Sequence, residues 1–312
     1  PLNRKMSFDL AYSGAPGSSL TEAAGKNIAA RIPVPTRPGY TFAGWSPEIP
    51  SEMPASDTAY TAQWTAKEDT PYQVVYLLQN IGSETYTVAD TESYRGTTGS
   101  LASMTNPTRS YEGFTFDDSV PGSVLSAPIE GRGTTVLKLY YKRNSYAMTI
   151  HYNGSGDATK VVQVPFGATT GLHLGTPAWQ GHAFTGWSPA DLTTMPAQDV
   201  EFIAQWTLNG FTVSFDSNGG SAVDAQAVGY GFLATEPEEP TKDGLVFGGW
   251  YGDSTLTIAY DFAAQVTTDL TLYAKWLHSY TVSFDSNGGS EVPDQTVNEG
   301  DKAAAPGAPA KE

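Results

Sequence analysis

Six of the seven tryptophans in this 312-residue chain recur at fixed places, and their spacing is the first thing that could carry chemistry. They fall as pairs: Trp45 with Trp64, Trp187 with Trp206, and Trp250 with Trp276. The first of each pair closes the string Gly-x-x-Phe-x-Gly-Trp, at Gly39 to Trp45, Gly181 to Trp187 and Gly244 to Trp250. The second closes Ala-[Gln/Lys]-Trp, at Ala62 to Trp64, Ala204 to Trp206 and Ala274 to Trp276. An indole serves either as a flat platform for a sugar ring or as buried apolar area. Recurrence beside Gly and Ala favours burial, so these six are expected to be structural core. Trp179 is different: it follows Pro177-Ala178, where the other copies carry polar residues, so it is expected to be exposed and is the candidate ligand contact. Tyr40, Tyr94 and Tyr251 are weaker versions of the same idea.

Other chemistry finds little support. Asp216-Ser217-Asn218-Gly219 and Asp285-Ser286-Asn287-Gly288 resemble the start of a calcium loop, but the later ligands and the bidentate Glu at the twelfth position are missing. A hairpin turn is the better reading. Gly229-Tyr230-Gly231-Phe232-Leu233-Ala234 fits a loose dinucleotide fingerprint without the strand-helix-strand context that gives that motif meaning. The acid pairs Asp117-Asp118 and Glu238-Glu239 read as solvated turns, since neighbours on a strand point to opposite faces. His151, His173, His182 and His278 occupy unrelated points of the repeats. With no cysteine, thiolate catalysis and thiolate zinc sites are also excluded. No catalytic, cofactor-binding or metal-ligating residue is therefore assigned, and no enzyme activity is expected.

Composition narrows the partners. Against 33 Asp and Glu stand 17 Lys and Arg, a net charge of −16, so little basic surface is available to neutralise phosphates. Nucleic acid and anionic membranes are disfavoured. Apolar runs such as Val74-Val75-Tyr76-Leu77-Leu78 are far too short to span a bilayer.

The residues singled out sit in a repeat. Val-Ser-Phe-Asp-Ser-Asn-Gly-Gly-Ser occurs at Val213 to Ser221 and again 69 residues later, at Val282 to Ser290. The strings together divide the chain into modules at 1–68, 69–144, 145–208, 209–278 and 279–312, the last stopping short of its own Gly-Trp string, so the natural chain is expected to continue. The second module is the odd one. It carries Gly113-Phe114-Thr115-Phe116 but no tryptophan, and Asp118 and Arg143 are read as standing where the others have theirs. The two tryptophans of a module are present together or absent together, which suggests one packed cluster.

Each module reads as strands joined by turns. The opening strand alternates in polarity before Asn-Gly, and in the closing strand Phe202, Ala204 and Trp206 share one face. Proline is too frequent for long helices; short ones are expected around Leu20 to Ile28 and Thr257 to Phe262. The predicted class is α+β, mostly β.

The run from Val213 through Phe247-Gly248-Gly249-Trp250-Tyr251 and Tyr260-Asp261-Phe262 to Leu270-Thr271-Leu272-Tyr273-Ala274-Lys275-Trp276 resembles the Listeria–Bacteroides repeat, or internalin B-repeat. Modules 1 and 3 resemble a shorter variant with Gly-Trp-Ser-Pro at Gly44 and Gly186 and Met-Pro-Ala at Met53 and Met195. The second is similar to a mucin-binding-like repeat, through Asp90-Thr91-Glu92, Gly96-Thr97-Thr98-Gly99, Tyr111 to Phe116 and Tyr140 to Asn144. The resemblance implies tandem β-grasp, ubiquitin-like modules in an elongated string, on an extracellular bacterial cell-surface protein. It implies a stalk or adhesin whose partners are glycans or proteins of a host or neighbouring cell; self-association is left open. The rival reading is a set of carbohydrate-binding accessory modules of a secreted polysaccharide-active enzyme.

Overall fold

A computed structural model describes residues 2–154 and 156–311. Four four-stranded sheets follow one another along the chain. The first is built from β1 (Asn3–Asp9), β2 (Ser18–Ala23), β3 (Tyr40–Ser46) and β4 (Thr58–Ala66), in the order β2-β1-β4-β3. β1 and β2 form an antiparallel hairpin, the chain crosses to the far edge as β3, and β4 returns between β3 and β1, parallel to β1. Period-2 alternation decides which side chains enter the core: Met6 and Phe8 from β1 meet Tyr60 from β4, with Leu20, Ile28 and Met53 closing the cluster.

The same order recurs. In the second module β5 (Thr70–Gln79), β6 (Tyr86–Gly96), β8 (Phe114–Phe116) and β10 (Val136–Arg143) give β6-β5-β10-β8, and β7 (Leu101–Ser103) and β9 (Ser126–Pro128) add a small two-stranded sheet. In the third, β11 (Ser145–His151), β12 (Lys160–Pro165), β13 (His182–Ser188) and β14 (Val200–Leu208) give β12-β11-β14-β13. In the fourth, β15 (Gly210–Asp216), β16 (Gln226–Gly229), β17 (Val246–Tyr251) and β18 (Leu270–Leu277) give β16-β15-β18-β17. The fifth contributes one hairpin, β19 (Ser279–Val282) with β20 (Gln295–Asn298). It repeats details of the fourth: Gln295 holds the Ala304 backbone with its amide as Gln226 holds that of Thr235.

Two compact units result, Pro1–Met148 with Val161–His173 and Leu192–Val200, and Thr149–Lys160 with Leu174–Asp191 and Glu201–Glu312. The protein is mostly β, with small sheets in tandem. Both expected helices are absent. Around Leu20 the chain is β2, because pairing with β1 buries Leu20 opposite Met6, a gain that outweighs the weak helical preference of Glu22-Ala23-Ala24. A single 3-10 turn at Ala29–Arg31 is all that follows. Thr257 to Phe262 is a loop, because the Asp253 carboxylate accepts the backbone N–H groups of Thr257 and Ile258 and the Thr257 hydroxyl, an alternative to helical pairing.

Candidate functional site

In each module with tryptophans the closing strand sets Ala between two large residues, and the buried Ala62, Ala204 or Ala274 leaves room for a ring from the neighbouring strand. That ring is the first tryptophan, Trp45, Trp187 or Trp250, which pairs with the alanine, and a phenylalanine joins it to the second. Phe42 meets Trp45 at 5.4 Å and Trp64 at 5.5 Å, both edge-on. Phe184 does the same at 5.5 and 5.4 Å, and Phe247 at 5.4 and 5.8 Å. A residue and the third one after it ordinarily face opposite sides of a strand. Here the ladder shifts register between Phe42 and Gly44, between Phe184 and Gly186, and between Phe247 and Trp250, and the extra residue turns the indole onto the phenylalanine's face. Gly44, Gly186 and Gly249 supply the backbone at φ of 121°, 137° and 104°.

The indole N–H groups fix the loops. Trp64, Trp206 and Trp276 donate to the carbonyls of Leu10, Tyr152 and Ser217 at 2.8, 2.9 and 2.8 Å, holding the turn after each opening strand. Trp45 and Trp187 donate to Pro33 and Gly175 at 3.1 and 3.0 Å, holding the crossover. The equivalent nitrogen of Trp250 is buried and has no hydrogen-bond partner in the protein. Only Trp250 is fully buried; the other five indoles are half-buried at the margin of the core.

Trp179 is half-buried as well. Its ring lies flat on His182, with centroids 3.5 Å apart and 8° between planes, and stands edge-on over Trp206 at 5.7 Å. Arg37 and Lys242 hold the same place in the first and fourth modules. Each of the three pairs with a residue three positions on, Arg37 with Tyr40, Trp179 with His182 and Lys242 with Leu245. Arg37 stacks on Tyr40 at 3.7 Å, while the Lys242 ammonium stands 5.7 Å from the Trp276 ring. Trp179 is thus the aromatic occupant of a position that is cationic in the other two modules. The calcium-like Asp216 accepts from the Asn218 N–H at 2.9 Å, and Asn218, at φ 49°, donates its side-chain amide to Ala274 O at 2.7 Å. This is turn chemistry.

The second module does not lack an aromatic cluster; it uses tyrosines. Phe116 pairs with Tyr141 as Phe42 pairs with Trp64, so Tyr141, rather than Arg143, occupies the closing tryptophan's place. Tyr141 is buried against Tyr111, Phe116 and Tyr76 at 5.0, 5.6 and 6.4 Å. Its hydroxyl donates to Arg109 O at 2.8 Å. The Arg109 guanidinium bridges Asp90 at 2.8 Å and also pairs with Glu92. Glu92 accepts from Tyr94 at 2.5 Å and Tyr76 at 3.0 Å, and Asp90 from Tyr111 at 2.7 Å. The alternation of Asp90-Thr91-Glu92 puts both acids on one face, which the sequence could have shown; their convergence on Arg109 it could not.

This network couples the module to pH. Hydrogen bonds from Tyr94 and Tyr76, then the charge of Arg109, hold the Glu92 carboxyl below its ordinary range. A depressed pKa means that the stabilisation is present above the unfolded value, roughly 4.3, and is lost as pH falls through the folded one. Thermal melts between pH 6 and pH 3 are expected to show a steeper loss for the wild-type second module than for Glu92→Gln. Equal slopes would remove Glu92 from the acid response. Asp117 also titrates low, at about 2, chiefly through Lys142 and Ser119, and both proteins share that response. The neighbouring groove is lined by Leu77, Tyr86, Val120, Pro121 and Tyr140, with Glu84 and Lys142 at its polar side. Among the described residues no three His, Asp or Glu side chains are grouped to hold a metal.

A model of the Listeria-Bacteroides repeat domain matches residues 7–70, 211–275 and 280–312. The chain belongs to the Listeria-Bacteroides repeat family. The third sheet lies outside the repeat's matched segments yet shares the strand order and the Phe-Gly-Trp bulge of the first. A "Putative Gly-rich membrane protein" of Evansella cellulosilytica is 31% identical over 89% of this chain and 35% of its own length. Internalin H of Listeria monocytogenes is 33% identical over 59% of this chain and 32% of its own. The chain thus spans about a third of the length of these relatives. Among solved structures, the Bacillus anthracis TIE protein aligns at TM-score 0.31 and 10% identity, over 70% of this chain and 53% of that one. Streptococcal High Identity Repeats in Tandem (SHIRT) domains 3-4 from a cell surface protein align at TM-score 0.18 and 15% identity, over 46% of this chain and 99% of that one.

Proposed function

We propose that the chain is a non-catalytic repeat segment of a bacterial surface protein, displayed outside the cell, where it projects a binding region and adds weak contacts of its own. The observation that carries this reading is how the modules follow one another. One residue separates a closing strand from the next opening strand at Asn144, at Asn209 and at His278. Links so short serve spacing better than independent tumbling. Family membership and the resemblance to Internalin H support the surface setting. Among the described residues no helix is long and apolar enough to cross a membrane. The partners are glycans or proteins of a host or neighbouring cell, met by several modules at once so that weak contacts combine.

Each sheet is a reduced β-grasp in this reading: the shared order β2-β1-β4-β3 and the central parallel pair of the first, second and fourth sheets support it, with a loop or 3-10 turn replacing the helix. In the carbohydrate-platform reading Trp179 would have to offer the indole face that His182 leaves free. Small-angle scattering tests the stalk. A spacer is expected to show a radius of gyration well above the roughly 20 Å of a compact globule of this length. A value near 20 Å would overturn it.

A further inference from the structure

The stalk reading requires that the joints between modules hold their angle, and the same local construction appears at three of them. Each module carries a turn glycine just before its third major strand: Gly39, Gly113 and Gly181, at φ of 76°, 74° and 76°. The carbonyl of that glycine accepts the backbone N–H of the linker residue after the closing strand, Lys67, Asn144 or Asn209, at 2.9 Å in every case. The carbonyl of the same linker residue then accepts a backbone N–H from the next module, from Thr98 at 2.8 Å, Phe166 at 2.9 Å and Tyr230 at 2.8 Å. One linker residue is therefore held from both sides, by the module behind it and the module ahead.

Packing reinforces the hydrogen bonds. A Cβ placed on Gly181 would fall inside the ring of Tyr230, and one on Gly113 inside the ring of Phe166. At Gly39 the place of the ring is taken by the Thr98 hydroxyl and the backbone of Gly131. Glycine is needed here twice over, for the positive φ and for the absence of a side chain. The joint after the second module has one more element. Arg143 donates to Gln79 O at 2.8 and 3.1 Å and to Phe166 O at 2.8 Å, with its guanidinium 4.6 Å from the Phe114 ring. This residue, read from the sequence as standing in for a tryptophan, belongs to the joint instead.

The fourth joint differs. Glu299 stands where Tyr230 stands one repeat earlier; its N–H still reaches His278 O at 2.7 Å, but a Cβ on Gly244 would meet open space.

We propose that the turn glycine of one module and the Thr98, Phe166 or Tyr230 position of the next form a lock that fixes the angle between successive modules, the occupant of each lock being the neighbouring module of the same chain. The lock is a contact surface between repeats, specific because only glycine on one side admits the ring on the other. It rests on the stalk reading for its use, while its geometry stands alone.

The chain has no cysteine, so paired spin labels can be placed cleanly on the full chain at the exposed closing-strand positions Gln205→Cys and Thr271→Cys. The expected distance distribution between them is narrow. Tyr230→Ala is expected to broaden it at least twofold, and Gly181→Ala to do the same, with tryptophan fluorescence reporting that modules 3 and 4 stay folded. Should Gly181→Ala disrupt the third module itself, Tyr230→Ala decides. A wild-type distribution that is already broad, or one that Tyr230→Ala leaves unchanged, overturns the lock. A compact scattering profile with a narrow distribution would instead remove the stalk and leave the lock standing.

Discussion

Replacing Trp276 by alanine is expected to cost the fourth module about 3 kcal/mol, the low end of the range for deleting a large aromatic side chain, because the indole is only half-buried. Three contacts are lost together: the edge-on packing against Phe247, the hydrogen bond to Ser217 O at 2.8 Å, and the cover that Lys242 lays over the ring. The loss also reaches Trp250, since Phe247 is held between the two indoles. A module of about 70 residues has little stability in reserve, so a loss of this size leaves the fourth sheet largely unfolded near physiological temperature. Trp276→Phe separates the terms. It keeps most of the ring contact and forfeits the N–H, at about 1 kcal/mol. Hydrogen exchange at the amides of β15 and β18 measures both, module by module, where one melting curve would average over all. Protection of those amides unchanged by Trp276→Ala would refute the staple role.

Much of this arrangement was legible in the sequence, and what was not has definite causes. The Gly-Trp and Ala-x-Trp strings located the strands because period-2 alternation survives in the closing strand and Asn-Gly marks the hairpin. The joint presence of the paired tryptophans points to one packed cluster but does not reveal the intermediary. Phe42, Phe184 and Phe247 stand three residues before a tryptophan, a spacing that puts two side chains on opposite faces of a regular strand. The glycine in between was the available sign of a bulge. Trp179 looked exposed because its neighbours are small and apolar. What covers it, His182, lies across a turn that sequence spacing does not reveal.

The helix around Leu20 failed for a different reason. Local preference for Glu and Ala is worth a few tenths of a kcal/mol per residue, and a sheet partner that buries Leu20 outweighs it. Arg143 and Tyr141 illustrate a third limit. Two residues apart on one strand, they share a face, so an alignment by strand ends cannot choose between them, and only the ladder to Phe116 does. The choice matters, because one residue of the pair holds the module's core and the other its joint.

Tyr141→Ala is expected to be the most damaging single substitution in the second module, costing about 3–5 kcal/mol. The ring is buried at the centre of Tyr76, Tyr111 and Phe116, and its hydroxyl is the tie to the backbone of Arg109. Losing it opens a cavity and frees the segment that carries the Arg109 guanidinium to Asp90 and Glu92. The more telling comparison is Tyr141→Trp, which restores at this place the residue type found in three other modules. If the tyrosines were only a drifted version of the tryptophan cluster, the swap would be neutral. The structure argues otherwise. In the tryptophan modules a loop carbonyl waits for the indole N–H, whereas here the space around residue 141 is filled by Tyr76 and Tyr111, whose hydroxyls are committed to Glu92 and Asp90. Forcing the larger ring into that site is expected to cost about 1–3 kcal/mol. Urea unfolding of the second module, followed by exchange at the amides of β5 and β10, would show both losses. A Tyr141→Trp protein as stable as the wild type would mean that the two clusters are interchangeable and that the tyrosine–acid–arginine network adds nothing the indoles could not supply.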